Sequence, residues 1–173
     1  AYNRVEWHYL EPIMVKLGFS AQFVNLVLKC VSSVRFSVRV NGELLPFFTP
    51  SRGFRQGDPV SPFLFLLCAE GFSSLLKYYN GGVVDRGLRV SYRSPWVTHL
   101  RFADDSLIFI NEATQVHRLN DILSIYGEAS GQCVNREKSS IYFSTNTPDS
   151  LRQLLKSTLN IQVEAFSTKY LGL

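Results

Sequence analysis

The sequence has 173 residues, the length of one ordinary domain, and its 46% hydrophobic and 18% charged residues exclude an intrinsically disordered chain. The longest unbroken apolar run, Phe63 to Ala69, is far shorter than the roughly 20 residues of a membrane span, so no membrane partner is predicted. The net charge of +4 is mildly basic and compatible with a polyanionic partner.

The first part of the chain predicts two helices and a hairpin. Apolar residues recur at helical spacing over Val5 to Leu17, where Pro12 predicts a kink or a restart. Ser20 is suited to cap a second helix that reaches about Ser32. Strand-like segments flank Asn41-Gly42, and an Asn-Gly pair between two such segments is the strongest short-range hairpin signal.

The remaining elements follow in order. A loop rich in Gly, Pro and Arg, Pro50 to Pro59, precedes a long apolar helix that ends near Tyr79. A second hairpin is predicted over Val97 to Ile110, with a polar tip at Asp104-Asp105-Ser106. Helices and strands mix without strict βαβ alternation, which predicts an α+β domain with an antiparallel sheet and helices packed on one face. The last predicted elements are a helix over Thr114 to Ala129, a strand over Ser140 to Ser144, a helix over Pro148 to Leu159 and a strand from Lys169 onward.

Two adjacent acids stand out in the second predicted hairpin, in the segment Phe102-Ala103-Asp104-Asp105. Neighbouring side chains on a strand point to opposite faces, so one acid would be buried unless both lie at the tip. Two carboxylates held together at a tip repel each other, and a divalent cation relieves that repulsion. Oxygen ligands favour Mg²⁺ or Mn²⁺. The alternative interpretation is that the Asp-Asp pair only fills a turn.

The segment Arg52 to Pro62 lies just before the long apolar helix. Its glycines let the backbone approach a ligand closely. Arg52 and Arg55 are suited to phosphate contact, and Gln56 offers an amide to a base, a sugar or a backbone edge. The alternative interpretation is a Gly/Pro loop with solvated arginines.

Two further basic features have both an ordinary and a functional interpretation. Lys138 ends a predicted helix-to-strand turn, where it is either a surface lysine or a source of charge or a proton beside a triphosphate. Upstream of the two acids, arginines alternate with aromatic residues, which suits either nucleic-acid contact with stacking or a solvated edge. This segment contains Arg86, Arg89, Tyr92, Arg93, Trp96 and Arg101.

Four blocks in this order resemble successive blocks of reverse transcriptases. They are RGFRQGDPVSP (52–62), FADD (102–105), GQCVNREKS (131–139) and YLGL (170–173). They are most similar to the blocks of non-LTR (LINE-type) retrotransposons, and AYNRVEW (1–7) together with SGQCVNREKS (130–139) is similar to the plant elements. FADD alone is a weak signal, whereas four ordered blocks are specific, and the resemblance covers essentially the whole chain.

The resemblance implies the palm of a right-hand polymerase. It implies a single palm domain over residues 1–173, with the N-terminal part of the fingers and the thumb outside it. Asp104 and Asp105 would be the catalytic, metal-binding acids, and Lys138 would be the catalytic lysine that protonates pyrophosphate. The implied substrate contacts are Tyr2 under the sugar, where it excludes a 2′-hydroxyl, and Arg55, Gln56 and Gly57 at the nucleotide and template. Tyr170, Leu171 and Gly172 would start the primer grip.

The implied reaction extends a DNA primer on an RNA template with deoxynucleoside triphosphates. Two Mg²⁺ ions would serve it, with Mn²⁺ as the alternative ion. The sequence does not indicate the oligomeric state.

The chain departs from the family pattern in two places. The family's first metal-binding aspartate lies upstream of the position of Tyr2, and counting back places it before Ala1. Asn3 stands where related elements usually carry Asp, which keeps an acceptor and loses a charge. We therefore expect the chain to be cut from something longer and, expressed alone, to polymerise nothing measurable.

Two other functions stay open. One is a catalytically dead remnant that keeps the palm fold and only binds nucleic acid, which the missing aspartate and Asn3 favour. The other is a different two-metal palm enzyme such as a nucleotidyl cyclase, which would leave the Arg52 to Pro62 segment unexplained.

Overall fold

The computed structural model describes residues 2–79 and 87–165. The first of these ranges begins with a short 3-10 turn at Tyr2–Arg4. The strand predicted from Lys169 onward lies outside these ranges. The helices are α1 (Trp7–Lys16), α2 (Ala21–Ser32), α3 (Ser61–Tyr79), α4 (Ala113–Ser130) and α5 (Asp149–Leu159). The strands are β1 (Arg39–Val40), β2 (Glu43–Leu44), β3 (His99–Phe102) and β4 (Asp105–Ile108).

The strands form two separate antiparallel hairpins, β1–β2 and β3–β4. The mixture of helices and small antiparallel sheets agrees with the predicted α+β class, but within the two described ranges the hairpins do not join into one sheet. The strand predicted over Ser140 to Ser144 is reduced to a single parallel bridge between Ile141 and Glu164. A turn follows at the predicted end of this strand, where Thr147 donates its N–H to the carbonyl of Ser144 at 3.1 Å.

The chain divides into two compact units. The first comprises Ala1–Gly71 and Ala129–Gln132, and the second comprises Phe72–Glu128 and Cys133–Leu173. Helix α3 runs from the first unit into the second. The residues predicted to carry the chemistry fall into both units.

The two helices at the start of the first unit form as the sequence predicts, with one exception. Ser20 caps α2, its Oγ accepting the N–H of Phe23 at 3.3 Å. Pro12 lies inside α1, which continues through it, so of the predicted kink or restart the restart does not occur. The carbonyl that Pro12 leaves without a helical donor belongs to His8, an exposed residue that water can reach.

One face of α4 supplies much of the core of the second unit. Its buried residues Val116, Leu119, Ile122 and Tyr126 recur at intervals of three and four residues, as on a helix with one apolar face. The ring of Phe72 packs on that of Tyr126 with a centroid distance of 4.9 Å.

A small ion-pair cluster fixes the end of the second unit. Glu164 accepts from Arg152 Nη1 at 2.7 Å and from Lys156 Nζ at 2.8 Å, which joins α5 to the bridge at Ile141. The hydrogen bond from Lys156, followed by its charge and that of Arg152, lowers the pKa of the Glu164 carboxyl below its usual range.

Candidate active site

The two predicted catalytic acids lie at the tip of the β3–β4 hairpin. The strands pair with Phe102 opposite Asp105, so Ala103 and Asp104 form a two-residue turn. The predicted tip of Asp104-Asp105-Ser106 is therefore one residue too far along the chain, because Asp105 is already the first residue of β4. Ala103 has a φ of +49°, in the left-handed region that residues with a β-carbon rarely adopt.

Buried groups of α3 support this hairpin from beneath. His99 Nε2 lies 3.1 Å from the hydroxyl of Ser73, a buried residue. The guanidinium carbon of Arg101 lies 5.1 Å from the ring centroid of Phe72, a cation–π distance. Both contacts hold β3, the strand that leads directly into the acidic turn.

The carboxylates of Asp104 and Asp105 are exposed, and neither has a hydrogen-bond or ion-pair partner among the described residues. Two unpaired oxygen-donor groups on neighbouring residues match what Mg²⁺ or Mn²⁺ requires of its ligands. Within residues 2–79 and 87–165, no group of three His, Cys, Asp or Glu side chains is suited to holding a metal ion. The pair therefore fits a divalent cation as one part of a ligand set.

In the first unit, the backbone joins Tyr2 to the Arg52–Gly57 segment. Phe54 donates its N–H to the carbonyl of Tyr2 at 3.0 Å, and Gly53 donates to the carbonyl of Val5 at 2.8 Å. Trp7 Nε1 adds a bond to the carbonyl of Gly53 at 2.8 Å. Two regions predicted to bind substrate, which are about fifty residues apart in sequence, thus lie side by side.

Gly53 is required for this close approach. Its φ is +85°, and a β-carbon added there would lie 2.8 Å from the carbonyl oxygen of Asn3. That distance is shorter than a β-carbon tolerates, and the atom in the way is backbone. Nothing in the spacing of the sequence pointed to the contact with Asn3, because the contact is long-range.

The ring of Tyr2 stacks on the buried ring of Phe65 in α3, with centroids 4.8 Å apart and planes 28° apart. This contact fixes the orientation of the aromatic group that the resemblance assigns to the sugar. Sequence reasoning missed Phe65, which reads only as one of many apolar residues in α3. The packing partner of a buried ring carries no local signal.

The side chains of the glycine-rich segment divide into two groups. Arg52 is paired with Glu6, with Nη1 and Oε1 3.1 Å apart, so it is held by the protein itself. Arg55 and Gln56 are exposed and have no side-chain partner among the described residues. Gly57 is also exposed, with a φ of +87°. Arg55, Gln56 and Gly57 are therefore the part of the segment that is open to a ligand.

Lys138 lies in the second unit, in a turn that follows α4. Its N–H donates to the Oδ1 and the carbonyl of Asn135, both at 3.2 Å, and the Oγ of Ser139 donates to the same carbonyl at 2.8 Å. Arg136 anchors the turn by donating to the carbonyl of Leu159. The Lys138 side chain is exposed and has no partner within the described part of the chain.

The predicted site residues are thus distributed over the two units. Tyr2, Arg55, Gln56 and Gly57 belong to the first, where the backbone holds Tyr2 beside the glycine-rich segment. Asp104, Asp105 and Lys138 belong to the second. The predicted primer grip at Tyr170, Leu171 and Gly172 lies outside the described residues.

A family model described as reverse transcriptase (RNA-dependent DNA polymerase) matches residues 1–173. The chain belongs to the reverse transcriptase family. This assignment confirms the resemblance seen in the four sequence blocks, and it makes nucleic acid and nucleoside triphosphates the substrates to be expected of the site. None of the helices in the described ranges is both long and apolar enough to cross a membrane.

Two relatives match large parts of the chain. It is 39% identical over 112 residues to an uncharacterized mitochondrial protein of Arabidopsis thaliana, a match that covers 63% of this chain and 89% of the relative. It is 29% identical over 142 residues to the Transposon TX1 uncharacterized 149 kDa protein of Xenopus laevis. That second match covers 81% of this chain but only 10% of the transposon protein.

Proposed function

We propose that this chain is the palm of a right-hand polymerase from a non-LTR (LINE-type) retrotransposon and that it serves RNA-directed DNA synthesis. The observation that carries the proposal is the pair of exposed carboxylates at the tip of β3–β4, unpaired within the described residues. Membership of the reverse transcriptase family and the likeness to a transposon protein support it. The substrates would be an RNA template, a DNA primer and deoxynucleoside triphosphates.

In this function Asp104 and Asp105 would hold Mg²⁺, with Mn²⁺ as the alternative ion. Bound there, the cation would supply positive charge to the primer hydroxyl and to the departing pyrophosphate. The hairpin tip suits the role, because both carboxylates are exposed and neither has a cationic partner among the described residues.

The first unit would supply the nucleotide and template contacts. Tyr2, held against Phe65, would present a rigid ring to the sugar and exclude a 2′-hydroxyl. The amide of Gln56 can donate and accept hydrogen bonds, and the bare backbone of Gly57 lets a strand come close. The guanidinium of Arg55 would pair with a phosphate.

Lys138 would act on the leaving group of the reaction, the pyrophosphate. Its Nζ would donate a proton to the pyrophosphate as it departs, which is general acid catalysis. The turn that carries it is held by Asn135 and Arg136, so the lysine projects from a fixed backbone. Tyr170, Leu171 and Gly172 would hold the primer.

A Mn²⁺ titration of the full chain tests the proposal, with free Mn²⁺ followed by electron paramagnetic resonance. Loss of groups that only orient a metal ligand costs about 10- to 100-fold in affinity, so Asp104→Ala and Asp105→Asn should each weaken binding at least about tenfold. Asp121→Asn, at an exposed acid on α4, is the matched control and should change nothing. Binding that neither hairpin variant weakens would refute the metal assignment and favour a remnant that only binds nucleic acid.

Primer extension on an RNA template is the second readout. With Mg²⁺ or Mn²⁺ we expect no measurable product from this chain alone, because the part that the structure describes brings no third ligand to the two carboxylates. Clear extension that Asp104→Ala abolishes would overturn this expectation while supporting the proposed function.

A further inference from the structure

A third, smaller hairpin lies just before β3. Leu88 and Val97 exchange two backbone hydrogen bonds, each 2.8 Å long. The tip between them is held by one serine, since the Oγ of Ser94 donates to the carbonyl of Ser91 at 2.9 Å and accepts its N–H at 3.0 Å. The tip is therefore an ordered projection.

Arg89 holds two aromatic rings on this hairpin, which we name the Arg89 hairpin (Leu88 to Val97). Its guanidinium carbon lies 5.4 Å from the ring centroid of Tyr92 and 5.2 Å from that of Trp96. Its Nε donates to the carbonyl of Ser94 at 2.9 Å. Arg89 is thus a positioning residue, engaged in cation–π contacts that keep both rings in place.

The aromatic surface that results is open to solvent. Tyr92 is 88% exposed although its ring is held by Arg89. Trp96 is 37% exposed. A fixed, exposed aromatic ring is the platform on which proteins stack an unpaired base.

The charged residues within this segment of the chain have one sign. Residues 87–103 contain three arginines and no acid. Arg93, next to Tyr92, is exposed and has no partner among the described residues, so its charge is available to an anion. A partner that offers flat rings and negative charge together is a nucleic-acid strand with unpaired bases.

We propose that Tyr92, Trp96 and Arg93 bind a single-stranded segment of nucleic acid, with a base stacked on Tyr92 and a phosphate at Arg93. The inference rests on the proposed function for its substrate class but uses residues that the catalytic assignment does not. The Arg89 hairpin leads directly into β3. Asp104 lies eight positions after Trp96, which spans at most about 27 Å of extended chain, so one nucleic-acid strand can reach both places.

The test is the affinity of the full chain for a fluorescein-labelled oligouridylate, measured by anisotropy in EDTA. Stacking of ordinary strength corresponds to about 5- to 150-fold in affinity, so Tyr92→Ala should weaken binding by a factor in this range and Tyr92→Phe should not. Tyr142→Ala removes an exposed tyrosine from the same unit and should leave the affinity unchanged. Arg93→Gln should reduce the slope of log affinity against log salt by about 0.7.

Each outcome bears on the proposal. Equal affinity of Tyr92→Ala and the unaltered chain, or no oligouridylate binding at all, overturns it. An equal loss of affinity for a duplex of the same length also overturns it, because paired bases cannot stack on the ring. The Mn²⁺ titration tests the proposed function separately, since it needs the acids of β3–β4 and the oligouridylate assay in EDTA does not. Either proposal can therefore fail while the other stands.

Discussion

The hairpins β1–β2 and β3–β4 both begin their turn with a residue in the left-handed region, but the two turns are built from very different residues. At the tip of β1–β2, Asn41 and Gly42 have φ values of +50° and +90°, and both residue types accept the left-handed region. At the tip of β3–β4, Ala103 has a φ of +49° and carries a β-carbon that disfavours it. The first turn follows from its own sequence, whereas the second is imposed on its sequence by the strands.

The two hairpins also differ in what supports them. Both strands of β1–β2 are exposed, whereas β3 is held by contacts from Ser73 and Phe72. A residue with a β-carbon in the left-handed region costs about 1–2 kcal/mol, and such strain persists only where the surroundings hold it. Strained turns occur preferentially at functional sites, in keeping with the acids that follow Ala103.

The largest expected effect comes from removing the support of the second hairpin. Phe72→Ala should lower the free energy of unfolding by about 3–5 kcal/mol, because Phe72 is buried against Tyr126 and lies under Arg101. Leu44→Ala, on an exposed strand of the first hairpin, should change it by less than about 0.5 kcal/mol. Urea denaturation measures both, and similar costs for the two variants would contradict the contrast in support.

Single substitutions in the two turns should change the free energy of unfolding by less. Gly42→Ala should lower the free energy of unfolding by about 1 kcal/mol, because open space surrounds the new β-carbon and only the φ of +90° opposes it. Ala103→Gly should leave stability unchanged or raise it by up to about 1 kcal/mol, since relief of strain offsets the added chain entropy. Destabilisation by Ala103→Gly as large as that by Gly42→Ala would show that the second turn is not strained.

The smallest effect concerns the ion pairs of Glu164, the residue that lies opposite Ile141 in the parallel bridge. The pKa of Glu164 is lowered in the folded chain from its usual 4.5, so the ion pairs stabilise the fold above that pH. This contribution is lost as the pH falls from 4.5 through the lowered pKa, because the unfolded chain takes up the proton first. Acid denaturation of Glu164→Gln should therefore show a weaker pH dependence there than the unaltered chain, and an identical curve would contradict the assignment.

Local turn and capping signals were the features that the sequence predicted well. Asn41 and Gly42 form the predicted turn, because both residue types accept a positive φ. Ser20 caps α2 by accepting the N–H of Phe23, three residues further along the chain. The acidic turn was predicted one residue late, since Asp and Ser are better turn formers than Ala, and strand pairing overrode that local preference.

For the candidate site, sequence reasoning identified the exposed polar residues and missed their supports. Asp104, Asp105 and Gln56 were found because their residue types carry chemistry and their blocks resemble a known family. Phe65 under Tyr2 and the backbone of Asn3 against Gly53 were not found, because each joins residues about fifty or more positions apart through packing alone. Such contacts leave no periodic or compositional trace.

The hydrogen bonds between the first turn of the chain and the glycine-rich segment have a consequence for engineering. Tyr2 and Phe54 are joined through main-chain atoms, as are Val5 and Gly53, so changing the side chains of Arg55 or Gln56 leaves the tyrosine where it is. Deleting one residue between Ser51 and Phe54 would instead break the alignment of both bonds. Under the proposed function, we therefore expect point substitution of Arg55 or Gln56 to alter template preference, and a change in chain length to alter discrimination between ribose and deoxyribose.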